Sequence, residues 1–324
     1  MTKAMRFHKT GGPEVLQWED VSVGDPGEGQ VRVRHTAVGV NYIDTYHRSG
    51  LYPLALPSGI GGEGAGVVEA VGKGVTLVKA GDRVAYCGGP PGSYSEQRLM
   101  PPDRLIKIPQ GVSDQTAAAM MLKGMTAQYL IRRTYKVQPG DTVLFHAAAG
   151  GVGLIACQWL KALGATVIGT VGSEEKAKLA RANGCDHVII YTKEDFAKRV
   201  REITKGEGVP VVYDSVGKTT FMGSLDSLRP LGLLASFGNS SGPVAPFETG
   251  ILAAKGSLYF TRPTLATYTA KRADLEATAK ELFDVVASGK VKIQVNQTYA
   301  LKDAQQVHRD LEGRKTTGSI VMKP

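Results

Sequence analysis

One stretch, residues 140–161, constrains the fold of this chain more than any other. It reads GDTVLFHAAAGGVGLIACQWLK: an apolar run, a turn of small residues and then an amphipathic helical pattern. Ala148, Gly150 and Gly153 have the spacing of the motif G-x-G-x-x-G, with only the first glycine replaced. Glycines let the main chain approach a pyrophosphate closely, and a helix N-terminus offers N–H groups to an anion. The stretch predicts a dinucleotide-binding strand, turn and helix, although an isolated glycine turn is equally compatible with a purely structural role.

The chain after this stretch alternates between strand and helix patterns. Further strands are predicted at 166–171, 187–191, 209–214, 233–237 and 257–260, and helices at 126–133, 174–183 and 194–204. With the first strand these make six parallel strands, the size of a complete doubly wound dinucleotide-binding domain. We therefore predict an α/β fold with a Rossmann domain at 124–262.

Residues 1–123 show a different pattern, in which short β-branched stretches are interrupted by Gly and Pro. This punctuation is typical of strands and turns. After Pro263 a helix is predicted at 271–288, a strand at 297–301, a helix at 303–313 and a strand at 319–322. We expect these to complete the first domain, which is then discontinuous, comprising 1–123 and 263–324.

Composition narrows the protein class. The chain has 324 residues, of which 42% are hydrophobic and 21% charged, and no run approaches the roughly 18 apolar residues of a membrane span. The first residues lack the apolar core of a signal peptide, and three scattered cysteines build no disulfide framework. We therefore expect a cytoplasmic protein that is not bound to a membrane.

The net charge of +9 indicates an anionic partner, either nucleic acid or a phosphate-rich cofactor. No block of Lys and Arg is longer than two residues, and the aromatics are not interleaved with basic residues as in a single-strand-binding platform. This pattern argues against nucleic acid binding as the main function.

Motifs outside the glycine turn connect the chain to a family. They are GVNYIDTYHRSGLYP at 39–53, GGEGAGVVEAVG at 61–72, LKGMTAQYL at 122–130, VYDSVG at 212–217 and FGNSSG at 237–242. With residues 140–161, they resemble the quinone oxidoreductase (zeta-crystallin-like) branch of the medium-chain dehydrogenase/reductase superfamily, especially its bacterial NADPH:quinone reductases, along essentially the whole chain. The resemblance implies a GroES-like catalytic domain, a Rossmann domain, a cleft between them for the nicotinamide, and a homodimer formed by edge pairing of Rossmann sheets.

The same resemblance argues against a metal. Zinc alcohol dehydrogenases of this superfamily hold zinc with a Cys, a His-Glu pair and a further Cys or acidic residue, and here Asn41 and Gly62-Glu63 take the places of the Cys and the His-Glu pair. Three cysteines cannot form a four-cysteine lobe, and the six histidines are dispersed. We expect no metal site, so the chemistry must depend on the organic cofactor.

The end of the second Rossmann strand indicates which cofactor is bound. An NAD site has Asp or Glu there for the ribose 2′-OH, whereas this chain has Gly172 and Ser173, followed by Glu174, Glu175 and Lys176. Gly172 and Ser173 leave room for a 2′-phosphate that Lys176 can reach, which favours NADPH. Alternatively, Ser173 only caps the next helix, and an inward-turned Glu174 would favour NADH.

The matching motifs imply the rest of the site. Cofactor-binding residues are expected at Asn41, Thr126, Ala149, Gly150, Gly151, Val152, Gly172, Ser173, Lys176, Tyr191, Ser215, Gly238, Asn239, Ser240, Ser241, Phe260, Thr261, Arg262 and Arg314. Candidate catalytic residues are Asn41, Asp44, Tyr46, Tyr52, Lys123 and Thr126. Asn41, Asp44 and Tyr46 belong to one predicted loop, and its Asp and Tyr side chains could equally hold that loop together by hydrogen bonds.

The predicted activity is NADPH-dependent reduction of a quinone, with Asn41 and Tyr46 orienting its carbonyls. A quinone held beside the nicotinamide needs no strong general acid. Reduction of the C=C bond of an enal, enone or enoyl thioester is an alternative in which an enolate needs a proton, so a tyrosine such as Tyr46 would matter more. A non-catalytic dinucleotide- or RNA-binding protein of crystallin type is a third hypothesis.

Overall fold

A computed structural model describes residues 1–324, with sixteen strands and ten α-helices. The strands are β1 (Thr2–Phe7), β2 (Gln17–Val21), β3 (Val31–Val40), β4 (Ser58–Gly59), β5 (Glu63–Val71), β6 (Arg83–Cys87), β7 (Gln97–Met100), β8 (Ile106–Lys107), β9 (Thr142–Phe145), β10 (Thr166–Val171), β11 (His187–Ile190), β12 (Val209–Asp214), β13 (Leu228–Ser236), β14 (Tyr259–Thr261), β15 (Val295–Ala300) and β16 (Ser319–Lys323). The helices are α1 (Tyr42–Ser49), α2 (Asp114–Tyr129), α3 (Gly151–Ala162), α4 (Glu174–Ala182), α5 (Phe196–Ile203), α6 (Phe221–Ser227), α7 (Gly250–Ala254), α8 (Leu265–Tyr268), α9 (Arg272–Ala287) and α10 (Ala304–Glu312). None of these helices combines the length and the apolar character needed to cross a membrane.

The chain packs into two units. The first consists of Met1–Met125, Thr269–Phe283 and Ile293–Pro324, and the second of Thr126–Tyr268 and Asp284–Lys292. Compared with the domains predicted from the sequence, residues 124–125 pack in the first unit, whereas 263–268 and 284–292 pack in the second. Where the separately folding domains begin and end remains a prediction from the sequence.

The second unit contains a six-stranded parallel sheet in the order β11-β10-β9-β12-β13-β14. Its central strands are rich in Val, Ile and Leu and buried on both faces, as a parallel sheet between helices requires. The strand order reverses between β9 and β12, and in such sheets ligands bind outside the carboxyl ends of the strands at this point. The predicted doubly wound fold is therefore confirmed.

The first unit is rich in antiparallel strands. A seven-stranded sheet has the order β15-β16-β3-β5-β6-β8, with β7 also paired to β3, and a three-stranded sheet has the order β2-β1-β4. The C-terminal strand β16 pairs with β3, placing Ile320 opposite Val40. A core that includes Phe7, Ile60, Tyr94 and Met322 lies beneath these strands.

Several helices differ from the sequence prediction, which does not include the short helices α6, α7 and α8. Residues 42–49 form α1 rather than a loop, because Asn41 has extended backbone angles at its N-cap and Gly50 ends it with a φ of 85°. The predicted helix at 126–133 is the end of the longer α2, followed by a π-helical turn, Leu130–Thr134. Residues 117–121 of α2 are fully buried and apolar, so this part lacks the alternation of polar and apolar faces that marks a surface helix.

Two predicted strands of the second unit have different bounds. β13 begins at Leu228 rather than at residue 233, because an irregular pairing with β12 accommodates Leu231 at a φ of 60°. β14 covers Tyr259–Thr261 rather than 257–260, since Ser257 adopts a φ of 55° before the strand begins.

Candidate functional site

The glycine turn after β9 has the geometry of an anion-binding helix start. α3 begins at Gly151, and because its N-cap residue is Gly150, no side chain caps the N–H groups of its first turn. The first N–H groups of a helix have no partner within the helix, so those of Gly151 and Val152 are available to an anion. A Cβ added to Gly153 would lie 2.4 Å from the Ala147 carbonyl oxygen, so this turn requires glycine there.

Ala148 replaces the first glycine of the motif, and β10 compensates for the substitution. Ala148 is fully buried, and a Cβ added to Gly169 of β10 would lie 2.7 Å from the Ala148 Cβ. The turn and β10 are further joined by a 3.1 Å hydrogen bond from Ala148 N–H to the Thr170 carbonyl. The close packing that a first glycine provides is therefore retained by a glycine in the neighbouring strand.

At the carboxyl end of β10, α4 begins with two glutamates that both have partners, and the Glu175 carboxylate accepts a hydrogen bond from the Ser173 hydroxyl. Ser173 caps α4, its Oγ accepting the Lys176 N–H at 3.3 Å, so the capping interpretation holds at this residue. The Glu174 carboxylate turns to the surface and accepts a 2.8 Å bond from Lys193 Nζ, and this ammonium group lowers the pKa of Glu174. Over Gly172 lies the Tyr191 hydroxyl, 2.8 Å from where a Cβ would be. The end of β10 is thus bordered by Tyr191 and the first turn of α4.

The segments that follow β12, β13 and β14 meet at the same edge of the sheet. The Ser215 carbonyl after β12 accepts the Ser240 N–H at 3.1 Å, and Gly238 approaches Ser215 so closely that an added Cβ would lie 2.5 Å from that carbonyl oxygen. Arg262, after β14, donates a 2.8 Å bond to the Ser236 carbonyl at the end of β13. Phe260 packs edge-on against Phe221, so part of its ring serves the core.

Most of the predicted cofactor residues are therefore gathered at one edge of the second unit. They follow or end the strands β9 to β14 and are Ala149, Gly150, Gly151, Val152, Gly172, Ser173, Lys176, Tyr191, Ser215, Gly238, Asn239, Ser240, Ser241, Phe260, Thr261 and Arg262. Thr126 is buried in α2. Arg314 belongs to the first unit, where it follows α10 with a φ of 58°.

The first unit holds a buried polar cluster of Asn41, Glu63 and Lys123. The Glu63 carboxylate is fully buried and accepts bonds from Asn41 Nδ2 at 2.7 Å, Lys123 Nζ at 3.1 Å and the Leu122 N–H at 2.8 Å. A Cβ on Gly39 would lie 2.3 Å from Glu63 Oε2, so the residue of β3 beside the carboxylate must be glycine. The cluster is a fixed array of N–H donors around one carboxylate.

Asp44 supports this cluster from within α1. Its carboxylate is 1% exposed and accepts bonds of 2.9 Å from both the Asn41 N–H and the Tyr94 hydroxyl. Burial raises the pKa of Asp44 to about 7, against the opposing effect of these two bonds. Asp44 therefore holds the start of α1, where Asn41 lies, in agreement with the loop-stabilising alternative.

A buried chain of polar groups extends from Asp44 to the surface. The Tyr94 hydroxyl lies 3.2 Å from His308 Nε2, and Arg48 donates a 2.9 Å bond to His308 Nδ1. Arg48 also forms a bidentate ion pair with Glu312 of α10. Since Arg48 occupies Nδ1, the proton of the neutral ring is on Nε2 and points to Tyr94. These hydrogen bonds and the ion pair hold α1 against α10.

Three tyrosines, two in α1 and one just after it, pack against one another. Tyr46 contacts Tyr42 and Tyr52 edge to face, with ring centroids 5.5 and 5.1 Å apart. Tyr46 is 8% exposed, whereas Tyr52 is half-buried. Burial raises the pKa of Tyr42, and the nearby Arg314 opposes that rise.

Glu63 is the functional candidate that the sequence prediction did not include in the site. The sequence gives one indication of its role: Glu63 is an acidic residue at the start of a segment rich in Gly, Ala and Val. A charge buried in such a segment needs a partner. No group of three or more His, Cys, Asp or Glu side chains is placed to hold a metal ion.

The six-stranded parallel sheet with its glycine turn, together with the two sheets of the first unit, defines a protein of the medium-chain dehydrogenase/reductase class. The family model described as alcohol dehydrogenase GroES-like domain matches residues 27–110, and the one described as zinc-binding dehydrogenase matches residues 151–286.

Full-length relatives narrow the class further. The chain is 55% identical to a quinone oxidoreductase of Pseudomonas aeruginosa over all of both chains, and 51% identical to a 2-haloacrylate reductase of Burkholderia sp, covering 100% of this chain and 99% of that one. A crystal structure of Escherichia coli quinone oxidoreductase complexed with NADPH superposes with a TM-score of 0.98 at 51% identity, covering 99% of this chain and 100% of that one. The chain belongs to the quinone oxidoreductase family.

Proposed function

We propose that this protein reduces quinones at the expense of NADPH. The observation that carries the proposal is the cluster of Asn41, Glu63 and Lys123, which presents buried N–H donors where zinc dehydrogenases of the superfamily hold a metal. Quinone carbonyls are hydrogen-bond acceptors, so amide and ammonium donors suit them. Quinone oxidoreductase relatives over the full length of the chain support the same activity.

The second unit fits NADPH. The N–H groups of Gly151 and Val152 would hold the pyrophosphate, and Ser173, Lys176 and Tyr191 would hold the 2′-phosphate. Because Lys193 engages the Glu174 carboxylate, that carboxylate is turned away from the proposed 2′-phosphate position. Thr126, Arg262 and Arg314 remain predicted cofactor neighbours. In a full turnover NADPH supplies two electrons and one proton to the quinone, and water supplies the second proton.

On the acceptor side, each residue has a separate role. Asn41 and Lys123 donate hydrogen bonds to a quinone carbonyl, and the Glu63 carboxylate keeps both donors in place. Tyr46 and Tyr52 provide aromatic surface and hydroxyl groups beside them. Asp44 is a positioning residue, because it holds the main chain of Asn41.

The reaction so described is independent of zinc. Lys123 supplies the positive charge beside Glu63 that a metal would otherwise provide. To test this, metal content would be measured in purified enzyme, and activity before and after dialysis against a chelator. Full activity without bound metal is expected, and activity that disappears and returns with zinc would contradict the proposal.

A homodimer in the cytoplasm is also proposed. The edge strand β14 of the parallel sheet carries Tyr259, which is 62% exposed, and Leu231 of β13 is 65% exposed. An unpaired edge with apolar side chains is suited to pairing with a second copy. All three cysteines are free, which suits a reducing compartment. Light scattering should give twice the mass of one chain, and Tyr259→Lys should shift the protein toward monomer.

The direct test of the activity is a steady-state assay of NADPH oxidation. Rates would be compared for 1,4-benzoquinone, 1,2-naphthoquinone, an enone and an alcohol, each with NADPH and with NADH. Turnover of the quinones with a preference for NADPH is expected. Tight NADPH binding without turnover of any acceptor would instead favour a non-catalytic binding protein.

Reduction of an activated C=C bond is the second candidate function. The relative named 2-haloacrylate reductase is as similar to this chain as several quinone oxidoreductases are. An enolate product needs a proton, and the nearly buried Tyr46, in the helix that Asn41 caps, carries a hydroxyl group that could supply it. If this function is the main one, Tyr46→Phe will reduce turnover of an enone much more than turnover of a quinone.

A further inference from the structure

His146, the residue after β9, has a function that the glycine motif does not explain. Its ring is 1% exposed and forms hydrogen bonds with two separate elements. Nδ1 lies 2.8 Å from the Thr170 hydroxyl of β10, and Nε2 lies 3.1 Å from the Ser224 hydroxyl of α6. The ring therefore bridges elements that are distant in sequence.

The hydrogen bonds around Asp214 determine the direction of this bridge. The buried Asp214 carboxylate accepts bonds from the N–H groups of Val216 and Gly217 and from the hydroxyls of Thr220 and Ser224. Since Ser224 donates its only proton to Asp214, it must accept the one on His146 Nε2.

Nδ1 of His146 is then the acceptor for the Thr170 hydroxyl. The ring is neutral, with one fixed tautomer, and burial lowers the pKa of His146 in agreement, against the opposing charge of Asp214.

The bridge joins three loops at the carboxyl edge of the sheet. His146 itself leads into the glycine turn, Thr170 lies two residues before Gly172, and Asp214 organises the N–H groups that follow Ser215. The first two of these loops contain residues that would hold NADPH in the proposed function, and the third contains Ser215, which the sequence predicts as a cofactor-binding residue. Their spacing must match the length of one extended cofactor.

We propose that His146 is a positioning residue for NADPH, setting the spacing of these three loops without touching the reacting atoms. The inference rests on the proposed function, because it takes NADPH as the ligand of these loops. Loss of the ring would leave the Thr170 and Ser224 hydroxyls without one partner each in a buried place. NADPH affinity should then fall while the chemical step at saturating NADPH is retained.

The test uses four single variants of the full chain. His146→Phe keeps an aromatic ring but removes both hydrogen bonds, Thr170→Val removes one of them, Ser224→Ala removes the other together with the bond from Ser224 to Asp214, and His187→Asn is the control at an exposed histidine of β11. NADPH dissociation constants are measured by fluorescence titration of the folded proteins, together with Tm and kcat at saturating NADPH. We expect a rise of about tenfold in Kd for His146→Phe and of a few-fold for each hydroxyl variant, with kcat within about twofold of wild type.

A double variant distinguishes positioning from general packing. Adding Thr170→Val to His146→Phe should raise Kd little further, because both changes break the same bond, the one between the Thr170 hydroxyl and His146 Nδ1. A Kd equal to that of wild type in His146→Phe, with only Tm lowered, would overturn the proposal, as would a fall in kcat with Kd unchanged. If His146→Phe does not fold, an unchanged Kd in both Thr170→Val and Ser224→Ala overturns it equally. Absence of NADPH binding to the wild-type protein would instead refute the proposed function.

Discussion

Lys123 Nζ lies 3.1 Å from the Glu63 carboxylate, and the two side chains are 7% and 0% exposed. Removing one partner of such a buried pair leaves an uncompensated charge, whereas removing both does not. We expect Lys123→Met to lower the free energy of unfolding by about 3–5 kcal/mol. The double variant with Glu63→Gln should recover much of this loss in urea unfolding experiments.

The same variants separate stability from activity. At a temperature where all of them are folded, the double variant should reduce quinones much more slowly than wild type, because the ammonium donor is lost. Asp274→Asn, a change in α9, serves as the control for altered charge. A loss of unfolding free energy in the double variant equal to the sum of the losses in Lys123→Met alone and Glu63→Gln alone would show that the pair is not coupled.

A carboxylate at the end of β10 should reverse part of the cofactor preference. Ser173→Asp and Ser173→Asn both preserve the cap of α4, since both side chains accept the N–H of Lys176, and they differ in charge alone. The aspartate should repel a 2′-phosphate and raise the KM for NADPH about tenfold or more relative to the asparagine variant. The KM for NADH should change much less, and equal KM values for NADPH in the two variants would place the 2′-phosphate elsewhere.

The raised pKa of Asp44 predicts an unusual dependence of the free energy of unfolding on pH. Its pKa is about 7 in the folded protein, above the ordinary 3.8, so between these values the folded state binds the proton more tightly than the unfolded state. The stabilisation is complete below pH 3.8 and is lost as the pH rises to about 7.

Asp44→Asn removes this titration, so the stability difference between wild type and variant isolates it. We expect wild type to lose about 3–4 kcal/mol relative to the variant over the full interval. Denaturant unfolding at several pH values measures the difference. A difference that does not change with pH would mean that Asp44 has an ordinary pKa.

The Rossmann half of the fold could be predicted from sequence because its signals are local. β9, β10 and β12 are short apolar runs with a turn after each, and Ser173 caps a helix within its own segment. The start of β13 could not be predicted, because Leu231 adopts its left-handed angles through pairing with other strands.

The site in the first unit was only partly predictable. The motif around Asn41 indicates which residues belong to the site. The sequence predicts a loop there instead of α1, because the cap of this helix depends on Asp44, which Tyr94 holds from 50 residues away. Glu63 gains its role only when α2 brings Lys123 beside it, 60 residues further along the chain. Such partners are set by tertiary packing, and a single sequence shows no spacing that would reveal them.

The most direct test of the central claim is the loss of reduced-nicotinamide absorbance when the purified protein, free of metal, is mixed with NADPH and 1,2-naphthoquinone. The account predicts catalytic turnover that is faster than with NADH and strongly reduced when Asn41→Ala and Lys123→Met are combined. No turnover of any quinone, while an enone is reduced with NADPH, would contradict it.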